Sequence, residues 1–329
     1  VEGDTPQVNR GGLKGSFEAV QHEVTRVVLG QDDVVRTVLV ALFAAGHVLL
    51  EGPPGLGKTL LARSLSRALG VGFKRIQFTP DLMPSDVTGG NIFNQREDDF
   101  VFRSGPVFTQ VLLADEVNRA PAKTQASLLE AMSDRQVSVD GETRELPDPF
   151  FVLATQNPVE SEGTYPLPEA QLDRFLVKTL VGHPSLEVEV ALLRSTVQGF
   201  DASDLDAVGL KTILDAAGIA RCQAEARSIR VDDALLDYIA AIVGRTRAHP
   251  AVDLGASPRA SIGLLRCAQV VAGIAGRTYV VPDDVKQMAH PVLRHRFMLQ
   301  PDAELEGIST DRVVDEILDD VPVPGGQSA

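Results

Sequence analysis

The stretch "EGPPGLGKT" constrains this chain more than any other. It follows the apolar run Val48, Leu49, Leu50 and precedes the helical pattern "LLARSLSRAL", so its form is strand, glycine-rich turn, helix. It fits G-x-x-x-x-G-K-[ST] with Gly52, Gly57, Lys58 and Thr59, encloses Pro53, Pro54, Gly55 and Leu56, and runs on into Leu60. Glycines let successive backbone N–H groups curl around phosphate oxygens, and the helix N-terminus adds a partial positive charge. In such a cradle Lys58 reaches the outer phosphates and the Thr59 hydroxyl is a magnesium ligand. Binding of a nucleotide follows from this stretch alone; hydrolysis does not.

Around the loop, short apolar runs alternate with helical patterns. The runs are "HVLLEG", "FKRIQF", "TQVLLADE", "FFVLATQN" and "LVKTLV", with helices expected over residues 59–69 and 122–133. Buried runs separated by helices predict an α/β unit with a parallel sheet covered on both faces. Past "GHPS" the texture changes. No strand is legible there, and helices are expected over residues 186–197, 205–217, 232–246, 259–275 and 282–299. The resulting division is a loose tail over 1–14, an αβα core over 15–183, an all-helical domain over 184–318 and a second tail over 319–329.

Two further sites bear on hydrolysis. The run Val111 to Ala114 leads into Asp115 and Glu116. A carboxylate at the end of a buried strand is placed to hold magnesium, the role expected of Asp115, and Glu116 beside it is the candidate general base. The next run ends at Asn157, whose carboxamide would orient the attacking water if its strand neighbours the one carrying Asp115. The transition state still needs positive charge beyond Lys58. Arg174, in "YPLPEAQLDRF", has no evident local use.

Composition excludes several classes. A net charge of −14 opposes a general nucleic-acid-coating role. The longest apolar stretch, residues 38–50, is interrupted by His47 and falls short of the ~20 residues of a membrane helix. The start of the chain lacks a basic segment followed by an apolar block, and the expected location is the cytoplasm. Cys222 and Cys267 read as core thiols, and the six scattered histidines show no metal-ligand spacing. Arg294, His295 and Arg296 in "VLRHRFM" read as a solvated helix face, with an anionic partner surface as the second reading.

With these residues in hand, "GPPGLGKT", "LLADEVNRAP", "ATQNP" and "SPRA", in that order, resemble an AAA+ ATPase. The spans "QFTPDLMPSDVTGGNIF", "SGPVF", "NRAPAKTQASLLEAM" and "NPVESEGTYPLPEAQLDRF" narrow the resemblance to the MoxR group, over residues 28–297. The resemblance implies a nucleotide-binding core with a helical lid, ATP and Mg²⁺ as cofactors, and a homo-oligomeric ring, usually a hexamer. It makes Asn157 the sensor 1 residue and places Arg259, in "GASPRAS", as sensor 2 at a helix start facing the γ-phosphate. It makes Arg174 an arginine finger serving a neighbouring subunit, with Arg119 as rival for that role. Val28, Gly30 and Gln31 in "VLGQ" match the segment that contacts adenine.

Two insertions also match. "TPDLMPSDVTGGNIFNQREDDFVFRSG" resembles a helix-2 insert, and "RQVSVDGETRELPDPF" a hairpin before sensor 1, legible unaided around Asp140-Gly141. Members of the group look like chaperones that remodel partner complexes, such as von Willebrand A-domain proteins or metalloenzymes. The alternatives are a ring motor of chelatase or DNA-acting type and a scaffold that binds ATP without turnover. Mixed charge in the insert (Arg96, Glu97, Asp98, Asp99, Arg103) speaks against a DNA pore. Gly57, where Ala is common, and Ser161, where Gln is common, are the departures from the pattern.

Overall fold

The computed structural model describes residues 11–96, 98–157, 165–202 and 204–325; Glu97, Ser161 and the rest of 158–164 lie outside them. Helices α1 (Gly12–Thr25) and α2 (Asp32–Phe43) come first. Leu13, Phe17, Val20 and Val24, spaced four, three and four apart, form the buried stripe of α1. Gly12 to Lys14 therefore do not belong to the loose tail expected over 1–14, because they open α1 and Leu13 lies in the core. Strand β1 (Val48–Glu51) passes through the glycine loop into α3 (Lys58–Ala68), and β2 (Phe73–Gln77) follows.

Helix α4 (Pro84–Thr88) and the hairpin β3 (Gly89–Asn94) to β4 (Asp99–Ser104) form the first insertion, ahead of β5 (Val111–Asp115) and α5 (Ala122–Asp134). The second hairpin is β6 (Gln136–Val139) and β7 (Glu142–Glu145). Asp140 at φ 52 and Gly141 at φ 83 turn it, the backbone that a two-residue hairpin loop requires. The hairpins abut: Asn91 donates to Asp140 at 2.7 Å, and the Arg144 guanidinium lies 4.1 Å from the Phe102 ring centroid. Strand β8 (Phe151–Gln156), the one-turn α6 (Glu169–Leu172) and β9 (Val177–Leu180) complete the core.

All five apolar runs are strands of one parallel sheet, in the order β2-β5-β8-β1-β9. Alternate residues take opposite faces. Val48, Leu50, Leu113 and Leu153 pack with α1, α2 and α3, while Leu49, Leu112, Ala114, Val152 and Ala154 pack with α5. Because β1 sits between β8 and β9 while the next strand in sequence lies at the far edge, chain direction diverges after β1. Ligands of open α/β sheets bind in such a crevice, beyond the carboxyl ends of the strands.

His47, at the start of β1, is buried and fully used. Its Nδ1 accepts from the Val152 N–H and its Nε2–H donates to the Met132 carbonyl, each at 3.1 Å. Burial lowers its pKa to about 4. Since the folded value lies below the unfolded one, the unfolded chain binds the extra proton, and stability falls as pH drops from about 6.5 to about 4. Over that window this residue costs about 3 kcal/mol. Denaturant midpoints measured against pH check this. His47→Gln, which keeps a donor and an acceptor, should flatten the slope, and an unchanged slope would refute the assignment.

The second half carries α7 (Leu186–Val197), α8 (Ala216–Arg227), α9 (Asp233–Thr246), β10 (Val252–Leu254), α10 (Pro258–Ile274), α11 (Pro282–Leu293), β11 (Met298–Leu299), α12 (Pro301–Leu305) and α13 (Thr310–Asp320). It is helical as expected, with three local corrections. Residues 205–217 do not form one helix. Gly209 turns at φ 65, the Ile213 N–H donates to the Ala68 carbonyl at 2.7 Å to close α3, and Asp215 caps Gly218 at 2.6 Å to start α8. Strands β10 and β11 pair antiparallel where no strand was legible. The helix expected over 282–299 stops at Leu293, because the two residues after Arg294 turn inward.

That inward turn also corrects the reading of "VLRHRFM" as a solvated face. His295 and Arg296 are buried. His295 Nε2 donates to the Phe175 carbonyl at 3.0 Å, and Arg296 Nη2 donates to the same oxygen at 2.6 Å. Arg296 Nη1 pairs with Asp173, and Arg294 pairs with Asp311 at 3.0 Å. Helix α13 runs on to Asp320 and Val321 is buried, so residues 319–321 do not belong to the loose tail expected over 319–329. Cys222 and Cys267 are free thiols buried in the lid core.

Candidate nucleotide site

The glycine loop lies at the predicted crevice. Gly57, at φ 75, occupies the left-handed region and turns the chain into α3. Gly52 is required for a different reason: a Cβ there would stand 2.2 Å from the carbonyl oxygen of Val181, just past the end of β9. Lys58 Nζ donates to the Gly52 carbonyl at 2.6 Å, and partial burial lowers its pKa.

A cleft of about 470 Å³ opens over the loop. Pro54, Gly55, Gly57, Lys58, Thr59 and Leu60 line it from one side, and Asp115, Glu116 and Asn157 from the strand ends. The condition set for Asn157 holds, since β8 is the hydrogen-bonded neighbour of β5. A triphosphate fits this lining: helix α3 offers its N-terminus, Gly55 leaves open space, and the one ammonium group stands in the loop. Gln31 Nε2 ties the "VLGQ" segment to the loop through the Leu56 carbonyl at 2.7 Å. Its Oε1 is buried with no hydrogen-bond partner among the described residues, and Gln31 itself stands behind the cleft lining. Val28 is buried behind the loop, and Gly30 is packed so closely against Val188 of α7 that a Cβ would stand 2.6 Å from it.

Arg63, Arg75, Gln77 and Ala202 of the cleft lining, and Thr155 behind it, escaped the sequence reading. Thr155 Oγ1 donates to Asp115 Oδ1 at 2.6 Å and accepts from the Glu116 N–H at 2.8 Å, locking the peptide between the two acids. Arg75 binds Asp115 Oδ2 at 2.6 Å. Gln77 Nε2 donates to Glu116 Oε2 at 2.7 Å, and Arg119 reaches the same oxygen at 2.9 Å. Arg63 of α3 lines the opening. The signal for Arg75 and Gln77 was present, as they alternate on β2, whose Gln77 is in register with Asp115. Among the described residues no cluster of three or more His, Cys, Asp or Glu side chains forms a metal site. A hard cation here would be held by Thr59 and Asp115 together with the phosphates.

Arg174 and Arg259 do not join this cleft. They line a second one, of about 340 Å³, together with Arg135, Arg266, Arg296 and Asp173. Arg174 Nη1 donates to the Leu129 carbonyl at 2.9 Å and to Ser133 Oγ. Arg259 stands at the first turn of α10, as expected, but it faces Asp173 Oδ2 of its own chain at 3.8 Å instead of its own phosphate loop. Within one chain Arg259 therefore does not reach the phosphate loop. Asp173 supplies the anion that a cation at a helix N-terminus calls for.

Fold and site define a P-loop ATPase of the AAA class. The family described as "ATPase family associated with various cellular activities (AAA)" matches residues 47–177, and the AAA lid domain matches residues 244–317. The YeaC protein of Bacillus subtilis (strain 168) is 49% identical, over 95% of this chain and 96% of its own. Chaperone MoxR1 of Mycobacterium tuberculosis is 44% identical, over 95% of this chain and 85% of its own. The solved structure of an ATPase candidate from Cytophaga hutchinsonii superposes with a TM-score of 0.87 at 40% identity, covering 94% of this chain and 96% of that one. The chain belongs to the MoxR family of AAA+ ATPases. Among the described residues no helix is long and apolar enough to cross a membrane.

Proposed function

We propose that the chain hydrolyses ATP at the boundaries of a homo-oligomeric ring, a hexamer by resemblance, and uses the cycle to remodel partner protein complexes. The observation that carries this reading is the separation of the two clefts. Phosphate loop, Asp115, Glu116 and Asn157 line one, while Arg174 and Arg259 line another. A second copy would bring those two arginines to the γ-phosphate. Arg119 pairs with Glu116 inside the phosphate cleft, whereas Arg174 lines the other cleft, which favours Arg174 for the role between chains.

In this cycle the loop amides and Lys58 hold the phosphates, Thr59 and Asp115 would hold Mg²⁺, and Val28, Gly30 and Gln31 border the base. Bound magnesium would neutralise phosphate charge and fix its orientation. Glu116 takes a proton from the attacking water, and Asn157 orients that water. The arginines of the partner subunit meet the charge that spreads over the transferred group. The chaperone role follows the name of MoxR1. Clients with von Willebrand A domains, or metalloenzymes under maturation, follow the family resemblance. The exposed side chains on the first hairpin, Ile92, Phe93, Phe100 and Val101, suit a polypeptide better than a polyphosphate.

Mixing two inactive variants tests the reading. Arg174→Ala keeps a sound site and lacks the arginine, whereas Glu116→Gln keeps the arginine and lacks the base. Each alone should lose roughly 10²–10⁴-fold in phosphate release, and mixed together they should recover part of it. Co-assembly with no recovery would sink the assignment of Arg174.

A further inference from the structure

Helix α7 buries no residue, although it is twelve residues long and half apolar. Leu186, Val190, Leu193 and Val197 are 76, 37, 65 and 89% exposed. At about 100° per residue they fall within an arc of about 60°, a continuous apolar stripe. The opposite side, Val188 and Leu192, is partly covered, and Val188 touches Gly30 beside the nucleotide cleft. Downstream of α7, Ala202 lines that cleft. Helix α7 thus lies beside the opening that the proposed function requires a second subunit to cover, with its stripe turned outward. Glu187 and Glu189 flank it, both exposed and neither ion-paired with a described residue.

A complementary face exists on the same molecule. Arg259, Ile262, Gly263 and Arg266 share one side of α10 at spacings of three, four and seven, and line the arginine cleft. Ile262 is 50% exposed, and Arg266 is exposed with no ion pair to a described residue. Two copies with a net charge of −14 each repel overall, so close approach is favoured where acid meets arginine.

We infer that the exposed stripe of α7 docks on the Arg259–Arg266 face of α10 in a second copy, apolar side chains over Ile262 and Glu189 against Arg266. The contact joins two different surfaces of one chain, the heterologous geometry that builds rings. It rests on the reading of Arg174 as an arginine acting between chains, and it adds the surface that brings that arginine into place.

The test is light scattering after size exclusion, with Mg²⁺ and a non-hydrolysable ATP analogue. Leu193→Glu should raise the concentration needed for assembly by roughly tenfold or more, while nucleotide affinity and the thermal midpoint stay unchanged, because the side chain faces solvent. Glu189→Arg and Arg266→Glu should each weaken assembly, and combined in one chain they should restore it. Leu193→Glu assembling like wild type, or a charge-swapped chain no better than either single variant, overturns the docking while leaving the ATPase reading intact. A wild-type chain that stays monomeric with nucleotide overturns both.

Discussion

Glu116→Gln retains ATP and turns it over roughly 10²–10⁴-fold more slowly than wild type. The substitution removes a proton acceptor and little else. Glu116 sits at φ 56, held by the Thr155 hydroxyl on its N–H, and the carboxamide can still meet Arg119 through its oxygen. The phosphate loop and Lys58 are untouched, so binding persists. Phosphate release and retention of a fluorescent nucleotide measure the two halves separately. Turnover within threefold of wild type would remove Glu116 from the reaction. Lost binding would mean that the charge of Glu116 holds the site together.

Asp173→Ala should destabilise the chain by about 3–5 kcal/mol, the usual effect of leaving a buried charge without its partner. Asp173 binds Arg296, whose side chain is 3% exposed, accepts from Ser257 Oγ at 2.8 Å and faces Arg259. It joins the last turn before β9 to the start of α10 and to the segment after α11, so core and lid share one carboxylate. Replacing Arg296 by Met as well removes the orphaned charge, and the double variant should recover most of the loss. Denaturant unfolding of the two single variants and the double one gives the coupling. Additive losses would show that the pair contributes no more than its separate packing.

What was legible in the sequence depended on range. The loop, its flanking strand and helix, the acids at the end of β5 and the turn at Asp140-Gly141 could be read directly, because each is a few residues whose backbone chemistry sets their own geometry. Helices α9 and α10 were read nearly to their ends from an apolar period and from the start signals before Pro258. The segment over 205–217 was misread, because its apolar spacing imitates a helix whereas Gly209 and the carbonyl of Ala68 decide its path.

The buried state of His295 and Arg296 could not be read either. Their partners, Asp173 and the Phe175 carbonyl, lie more than a hundred residues away. The phosphate cradle and the parallel sheet behind it could be read from consecutive residues, since local sterics shape the loop and unbroken apolar runs mark strands covered on both faces. The family came from longer spans that resemble the MoxR group. The cleft that Arg174 and Arg259 share away from that cradle, and the bare stripe of α7, are set by long-range packing. The first depends on how the lid packs against the core through the Asp173–Arg296 pair, whose members lie more than a hundred residues apart, and no local pattern encodes that packing.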